Sequence, residues 1–156
     1  MGHKISIIVP TLNEEKLLPA LLGSIARQEI PDGYVVEIVI ADAGSQDATR
    51  SIAASRGCIV VEGGLPARGK NKGASHATGD IFLFIDADSV FSDAFLKRSI
   101  EEFMARKLSI ASFFLDPGSS RMGFFLNVFY NYPIRLMERI LPHGAMGILI
   151  TREAWE

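Results

Sequence analysis

The chain has 156 residues, 48% hydrophobic and 22% charged, with 16 basic against 18 acidic side chains and a formal net charge of −2. That is the length of one ordinary domain, with enough apolar residues for a sizeable core and too many for a disordered chain. The charge balance excludes a dedicated nucleic-acid binder, which carries a basic excess, and the single cysteine excludes a disulfide framework or a multi-cysteine zinc site.

The elements alternate along the first two thirds. Ile5-Ser6-Ile7-Ile8-Val9 is β-branched and nearly all apolar, which predicts a strand covered on both faces, stopped by Pro10. Leu17, Leu18, Leu21, Leu22 and Ile25 recur at helical spacing, with Pro19 placed in the first turn. Glu29 to Gly33 carries turn chemistry and leads into a second strand, Val35 to Ala41. Ser45 is the candidate N-cap of a helix ending at Gly57. Ile59-Val60-Val61 predicts a third strand, with Cys58 beside it as a small core residue. After the loop Gly63-Gly64-Leu65-Pro66, a helix bearing Lys70, Lys72 and His76 is expected to run to Gly79.

Ile81-Phe82-Leu83-Phe84-Ile85 is a fourth buried strand, ending abruptly at Asp86-Ala87-Asp88. Ser92 is the candidate cap of a helix carrying Phe95, Leu96, Ile100 and Phe103. Beyond Ser109 the pattern becomes less regular: a strand from Ile110 to Leu115, an apolar helical region from Met122 to Leu141, and a last strand from Ala145 to Thr151. The alternation predicts a single α/β domain over residues 1–156, with a mostly parallel central sheet flanked by helices. No secretory signal and no run of roughly 18 apolar residues occurs. The expectation is a soluble cytoplasmic chain, at most peripheral on a membrane.

In such a sheet, ligands gather at the carboxyl ends of the strands. Three successive strand ends are polar here: Pro10-Thr11-Leu12-Asn13-Glu14-Glu15, then Asp42 with Gly44 and Ser45, then Asp86 and Asp88. Two carboxylates flanking one alanine repel each other unless a cation lies nearby. Mg²⁺ and Mn²⁺ are suited to such a pair, completing their shell with phosphate oxygens and water. Arg68, Lys70 and Lys72, with Asn71 between, follow a glycine-containing loop and are of the type that neutralises a diphosphate. No Walker-type loop, no Gly-x-Gly-x-x-Gly after the first strand and no Gly-x-Ser-x-Gly elbow occurs.

Taken together, the Ile-Val-Pro-Thr-Leu-Asn-Glu-Glu run, Ala41 to Thr49, Ala67-Arg68 to Gly73, and Gly79-Asp80 running into Asp86-Ala87-Asp88 resemble the family 2 glycosyltransferases of GT-A fold. The match in order and spacing covers about residues 4–106. The resemblance implies a Rossmann-like GT-A domain, with residues 1–106 as its nucleotide-sugar-binding half and 107–156 as an incomplete acceptor-side part. It places Pro10, Thr11, Glu14 and Asp42 at the nucleotide base and ribose, with Ser45 beside them and Arg68 and Asn71 lining the nucleotide site. Asp86-Ala87-Asp88 looks like the DXD motif, with Asp88 on the divalent metal and Asp86 nearer the ribose and the metal's water shell. Ala43 stands where many members carry a second aspartate.

The implied chemistry is metal-dependent, inverting transfer of a sugar from a nucleoside-diphosphate sugar to an acceptor hydroxyl, on a saccharide or a lipid-linked acceptor. The family's catalytic base follows a glycine-rich turn after the segment matched by Thr151 to Glu156, so no catalytic residue is assigned and the chain reads as truncated. Two alternatives are a nucleotide-sugar-binding module without turnover and a nucleotidyltransferase-like α/β protein. The dense aromatics of Met122 to Tyr130, with Arg121, Arg135 and Arg139, fit either closure of the core or peripheral contact with an anionic membrane.

Overall fold

Runs of β-branched residues alternating with amphipathic runs build a layered α/β fold. The computed structural model describes residues 2–113 and 147–156. Over these residues the chain forms β1 (His3–Thr11), α1 (Leu18–Ala26), β2 (Tyr34–Asp42), α2 (Thr49–Ser55) and β3 (Ile59–Glu62). It continues through α3 (Pro66–His76), β4 (Ile81–Ile85), α4 (Phe95–Ala105), β5 (Ile110–Ser112), β6 (Gly147–Thr151) and the short α5 (Arg152–Trp155). The sheet order is β3-β2-β1-β4-β6-β5. The first four strands are parallel, while β6 runs antiparallel to both β4 and β5. The alternation thus predicts the parallel part, and the antiparallel insertion of β6 is additional.

Each face of the sheet has its own core. On one face Ile5, Ile7, Val9, Ile40, Leu83 and Ile85 pack against Leu18, Leu21 and Leu22 of α1 and Leu96, Ile100 and Phe103 of α4. On the other, Ile8, Val39, Ala41, Phe82 and Phe84 meet Ala74 and Ala77, with Ile148 and Ile150 of β6. All five side chains of β4 are buried, as its uninterrupted apolar sequence predicts. α3 comes close to the strands because its inner face is small. A Cβ on Gly73 would lie 2.5 Å from Cγ2 of Ile8, and one on Gly69 3.1 Å from Cβ of Pro10.

Several local expectations change. α3 ends at His76, three residues before Gly79. The next amides leave the helix for side chains of the sheet: Thr78 N–H donates to Oε1 of Glu37, and Gly79 N–H to Oγ of buried Ser6 at 2.9 Å. Ser45 does not cap α2, which starts at Thr49; Oδ1 of Asp47 accepts from the N–H of Thr49 at 3.0 Å instead. Nor does the Ser92 side chain cap α4: its carbonyl accepts from Phe95 N–H at 3.2 Å, while Oε1 of Gln28, just past α1, accepts from Leu96 N–H at 3.0 Å. Cys58 is half-buried against the core rather than within it, and burial pushes its thiol pKa up despite Arg56 nearby. Of the strand expected over 110–115 the described residues show Ile110–Ser112, and of the strand expected over 145–151 they show Gly147–Thr151; residues 114–115 and 145–146 lie outside the described residues. The region 122–141 and its proposed membrane contact lie outside the described residues.

Candidate functional site

The carboxyl ends of β1, β2 and β4 and the loop after β3 enclose a cleft of about 310 Å³. Its walls are Pro10, Thr11, Leu12 and Glu14 after β1, Ala43 after β2, Gly64, Leu65 and Pro66 after β3, and Asp86, Ala87 and Asp88 after β4. The structure therefore brings together Pro10, Thr11, Glu14, Asp86 and Asp88. It does not bring the remaining candidates to the same wall.

Asp42 lies beneath the cleft rather than in it. Its side chain is fully buried, and its oxygens accept from Oγ of Thr11 at 3.0 Å, from Oγ of Ser45, and from the N–H groups of Gly44 at 3.1 Å and Ser45 at 3.0 Å. Nη1 of Arg50 stands 3.6 Å away. Burial alone would raise the Asp42 pKa, but the donors from Ser45, Thr11 and Gly44 outweigh it and hold the carboxyl below its ordinary range. Gly44 makes this wrap with φ of +92°, which a residue without Cβ adopts freely. Ser45 serves the same loop, since its Oγ also accepts from Asn13 N–H at 2.8 Å.

The loops after β1 and β2 are laced together. Glu14 N–H donates to Oγ1 of Thr49 at 2.8 Å, Glu15 N–H to Oδ2 of Asp47 at 3.0 Å, Gln46 N–H to Oδ1 of Asn13 at 2.9 Å and Ala48 N–H to Oε2 of Glu15 at 3.1 Å. Residue types at these positions suggest turns and caps. The pairing of one loop with the other has no local sequence signal.

The end of β4 is different. Asp86 and Asp88 are exposed, and Nζ of Lys70 on α3 approaches Oδ1 of Asp86 at 3.0 Å. Lys70 is the site residue that the sequence placed in a basic cluster without a partner; only the close seating of α3 assigns it one. Asp88 has no ion pair among the described residues. Its charge reaches Glu14, whose pKa is raised first by burial, then by Asp88 and Asp47. Arg68 is exposed on the first turn of α3, its stem beside Gly64, and lies outside the cleft wall. Asn71 is exposed on the side of α3 opposite Gly69 and Gly73. Lys72 pairs with Glu62 at 3.1 Å.

No group of three or more potential metal-ligating side chains occurs among the described residues. The donor set nevertheless fits a hard divalent ion of the Mg²⁺ or Mn²⁺ type, which needs only one or two carboxylates when a phosphate ligand and water fill its shell. Asp86 and Asp88, both exposed on the cleft wall, would supply those oxygens.

Comparison with known proteins fits this geometry. The model of the family described as "Glycosyl transferase family 2" matches residues 6–144. The 4,4'-diaponeurosporenoate glycosyltransferase of Staphylococcus aureus is 37% identical over 99 residues, covering 58% of this chain and 25% of that protein. The crystal structure of S. aureus TarS 1–349, a protein also solved with UDP and with UDP-GlcNAc, superposes with a TM-score of 0.62 at 30% identity, covering 69% of this chain and 34% of that one. The mannosyltransferase PcManGT of Pyrobaculum calidifontis, in complex with GDP-Man and Mn²⁺, shares the fold over 98% of this chain and 46% of its own, with a TM-score of 0.75 at 23% identity. The chain thus spans a quarter of the length of the curated relative and about a third of TarS 1–349.

Proposed function

We propose that this chain, which belongs to glycosyl transferase family 2, binds a nucleoside-diphosphate sugar and takes part in transferring its sugar to an acceptor hydroxyl with inversion. The observation that carries the reading is the pair of exposed carboxylates, Asp86 and Asp88, at the end of a wholly buried strand, lining one cleft with Pro10 and Thr11.

In this reading Pro10, Thr11 and Glu14 contact the nucleotide. Asp42 and Ser45 act by fixing the wall that carries Thr11. Asp88, with Asp86, would hold a Mn²⁺ or Mg²⁺ ion, which would supply Lewis-acid charge for the leaving diphosphate. Lys70, 3.0 Å from Asp86, is the cation of α3 that suits the diphosphate's negative oxygens, whereas Arg68 and Asn71 on the same helix lie outside the cleft wall. During transfer the acceptor oxygen forms a bond to the anomeric carbon as the bond from that carbon to the diphosphate oxygen breaks. The diphosphate leaves with the electron pair, and the hydroxyl proton passes to a general base. A cation such as Lys70 beside the leaving diphosphate would favour this step by offsetting the charge that develops there. No residue of the chain is assigned as the base.

The acceptor is a saccharide or a lipid-linked molecule, and the latter suits a cytoplasmic protein in peripheral contact with a membrane. No helix among the described residues is long and apolar enough to cross one. TarS, at 29% identity in its complex with UDP-GlcNAc, supports a sugar nucleotide as the donor class.

The test is a thermal-shift panel of UDP-, GDP- and dTDP-sugars with and without Mn²⁺. A ligand that binds the native state raises the apparent melting temperature by mass action. A metal-dependent rise with at least one donor is expected, and no rise with any of them overturns the reading. Turnover of the bound donor with an acceptor distinguishes a transferase from a module that only binds.

A further inference from the structure

The carboxylates of the cleft come with a cation of their own. Glu14, Asp86 and Asp88 all stand in its wall. Among the described residues Lys70 is the one basic side chain paired with any of them, its Nζ 3.0 Å from Oδ1 of Asp86. The neighbouring cations of α3 are engaged elsewhere. Lys72 meets Glu62 at 3.1 Å, and Lys72 with Arg68 holds the Glu62 carboxyl below its ordinary range.

The fold sends Lys70 to this place. Pro66 belongs to the cleft wall, and Lys70 lies one turn further along the same stripe of α3. Helical side chains lean toward the N-terminus of their helix, which here is the end at the cleft. Gly69 and Gly73 seat that helix directly on Pro10 and Ile8 of β1, which brings the stem of Lys70 within reach of the end of β4.

An ammonium on Asp86 stands where a divalent ion would need the same carboxylate. We propose that Lys70 is the resident counterion of Asp86, competing with a divalent ion for that carboxylate in the free chain and moving to the diphosphate when ion and nucleotide bind together. The inference rests on the donor-binding reading above and adds the residue that couples its two ligands. Charge favours the combined state. Three carboxylates and one ammonium leave two negative charges, which a divalent ion neutralises, and the diphosphate then meets an ammonium released from Asp86. Lysine suits the exchange because its ammonium is a point charge on a flexible stem, whereas the arginine fork fixes one planar geometry. By linkage, ion and nucleotide must tighten each other's binding by the same factor.

Calorimetry of the full chain at low ionic strength tests this, with Mn²⁺ alone, with UDP and GDP alone, and with each nucleotide at saturating Mn²⁺. The variant is Lys70→Met, which keeps an unbranched stem and a good helix former; loss of a partly exposed ion pair costs little stability. It should bind Mn²⁺ alone about tenfold more tightly, the scale of a unit charge held roughly 6 Å from a divalent ion in a water-like dielectric. At saturating Mn²⁺ it should bind the nucleotide more weakly by a similar factor. A structural Lys70 would move neither constant, and a lysine serving the diphosphate alone would leave Mn²⁺ binding unchanged; either result overturns the inference. In an Asp86→Asn background nothing holds Lys70 at the ion's position, so Lys70→Met should change Mn²⁺ binding by less than about twofold. A gain there as large as in the parent means that Lys70 acts at a distance, and overturns the inference too. All these failures leave the donor reading standing. Absence of UDP and GDP binding by the parent with or without Mn²⁺, while it is folded by circular dichroism, overturns the donor reading and the inference with it.

Discussion

The ends of β2 and β4 each present aspartate to the same rim of the sheet, and they treat it in opposite ways. Asp42 is fully buried, takes four hydrogen bonds and has Arg50 alongside, so its charge is consumed in closing the loop over the cleft floor. Asp86 and Asp88 are exposed; one meets only Lys70, and the other makes no ion pair among the described residues. A carboxylate can organise a loop or await a ligand, and the surrounding donors decide which. The difference is one of neighbours rather than residue type.

Four variants test this contrast. Asp42→Ala should have the largest effect, because the buried Thr11 hydroxyl and the loop amides lose their acceptor. Unfolding in urea should show a loss of about 3 kcal/mol, the scale of charged hydrogen bonds removed from a buried site. An unchanged midpoint would move Asp42 into the class of Asp88. Asp88→Ala should do the reverse: metal-dependent donor affinity falls by about 1.5–3 kcal/mol, while stability in the absence of metal holds or rises as repulsion with Glu14 is relieved. Calorimetry with and without Mn²⁺ reads the first and urea the second.

Gly73→Ala probes what holds Lys70 beside Asp86. The new methyl would meet Ile8 at 2.5 Å and force α3 outward, costing about 1–3 kcal/mol as an overpacked core does, with donor affinity falling alongside. The smallest effect belongs to Glu14→Gln. The folded-state pKa of Glu14 lies above its ordinary 4.5, so its ionised form opposes folding at neutral pH and that opposition fades as acid protonates it. The variant should be slightly more stable at pH 7 and equal to the parent below about pH 4. Asp42 has the opposite sign. Its depressed pKa contributes stability above the ordinary carboxylate range, and that contribution is lost as pH falls through its folded value. Urea midpoints across pH 3–7 separate the two.

Much of the parallel sheet is legible from residue pattern alone, because strands buried on both faces read as unbroken apolar runs: Ile81–Ile85 is predicted to the residue. The polar strand ends are legible for the same reason, standing out against those runs. What escapes is long-range pairing. Nothing local in Ser45 shows that its hydroxyl accepts from Asn13 N–H rather than capping α2, which starts four residues later at Thr49. Gln28 caps α4 from 68 residues away, and no window along the chain contains both partners. Likewise, Lys70 and Lys72 look equivalent in sequence, and only the seating of Gly69 and Gly73 on β1 sends one to Asp86 and the other to Glu62.

The antiparallel β6 has a consequence for how the chain acquires this shape. β3, β2, β1 and β4 are joined by connections close in sequence, so the parallel core can form once residue 85 is available. The far edge of β4 then waits for residues 147–151, and β5 has its sheet partner only when they arrive. During synthesis at about 5–20 residues per second, the strand that, among the described residues, pairs with the all-apolar edge Ile-Phe-Leu-Phe-Ile is made several seconds after it. Such an edge is a template for pairing between chains. Chaperone demand and loss to aggregation should therefore depend on how fast this stretch is translated, and slow codons between positions 86 and 146 should lower the soluble yield without altering a single residue of the product.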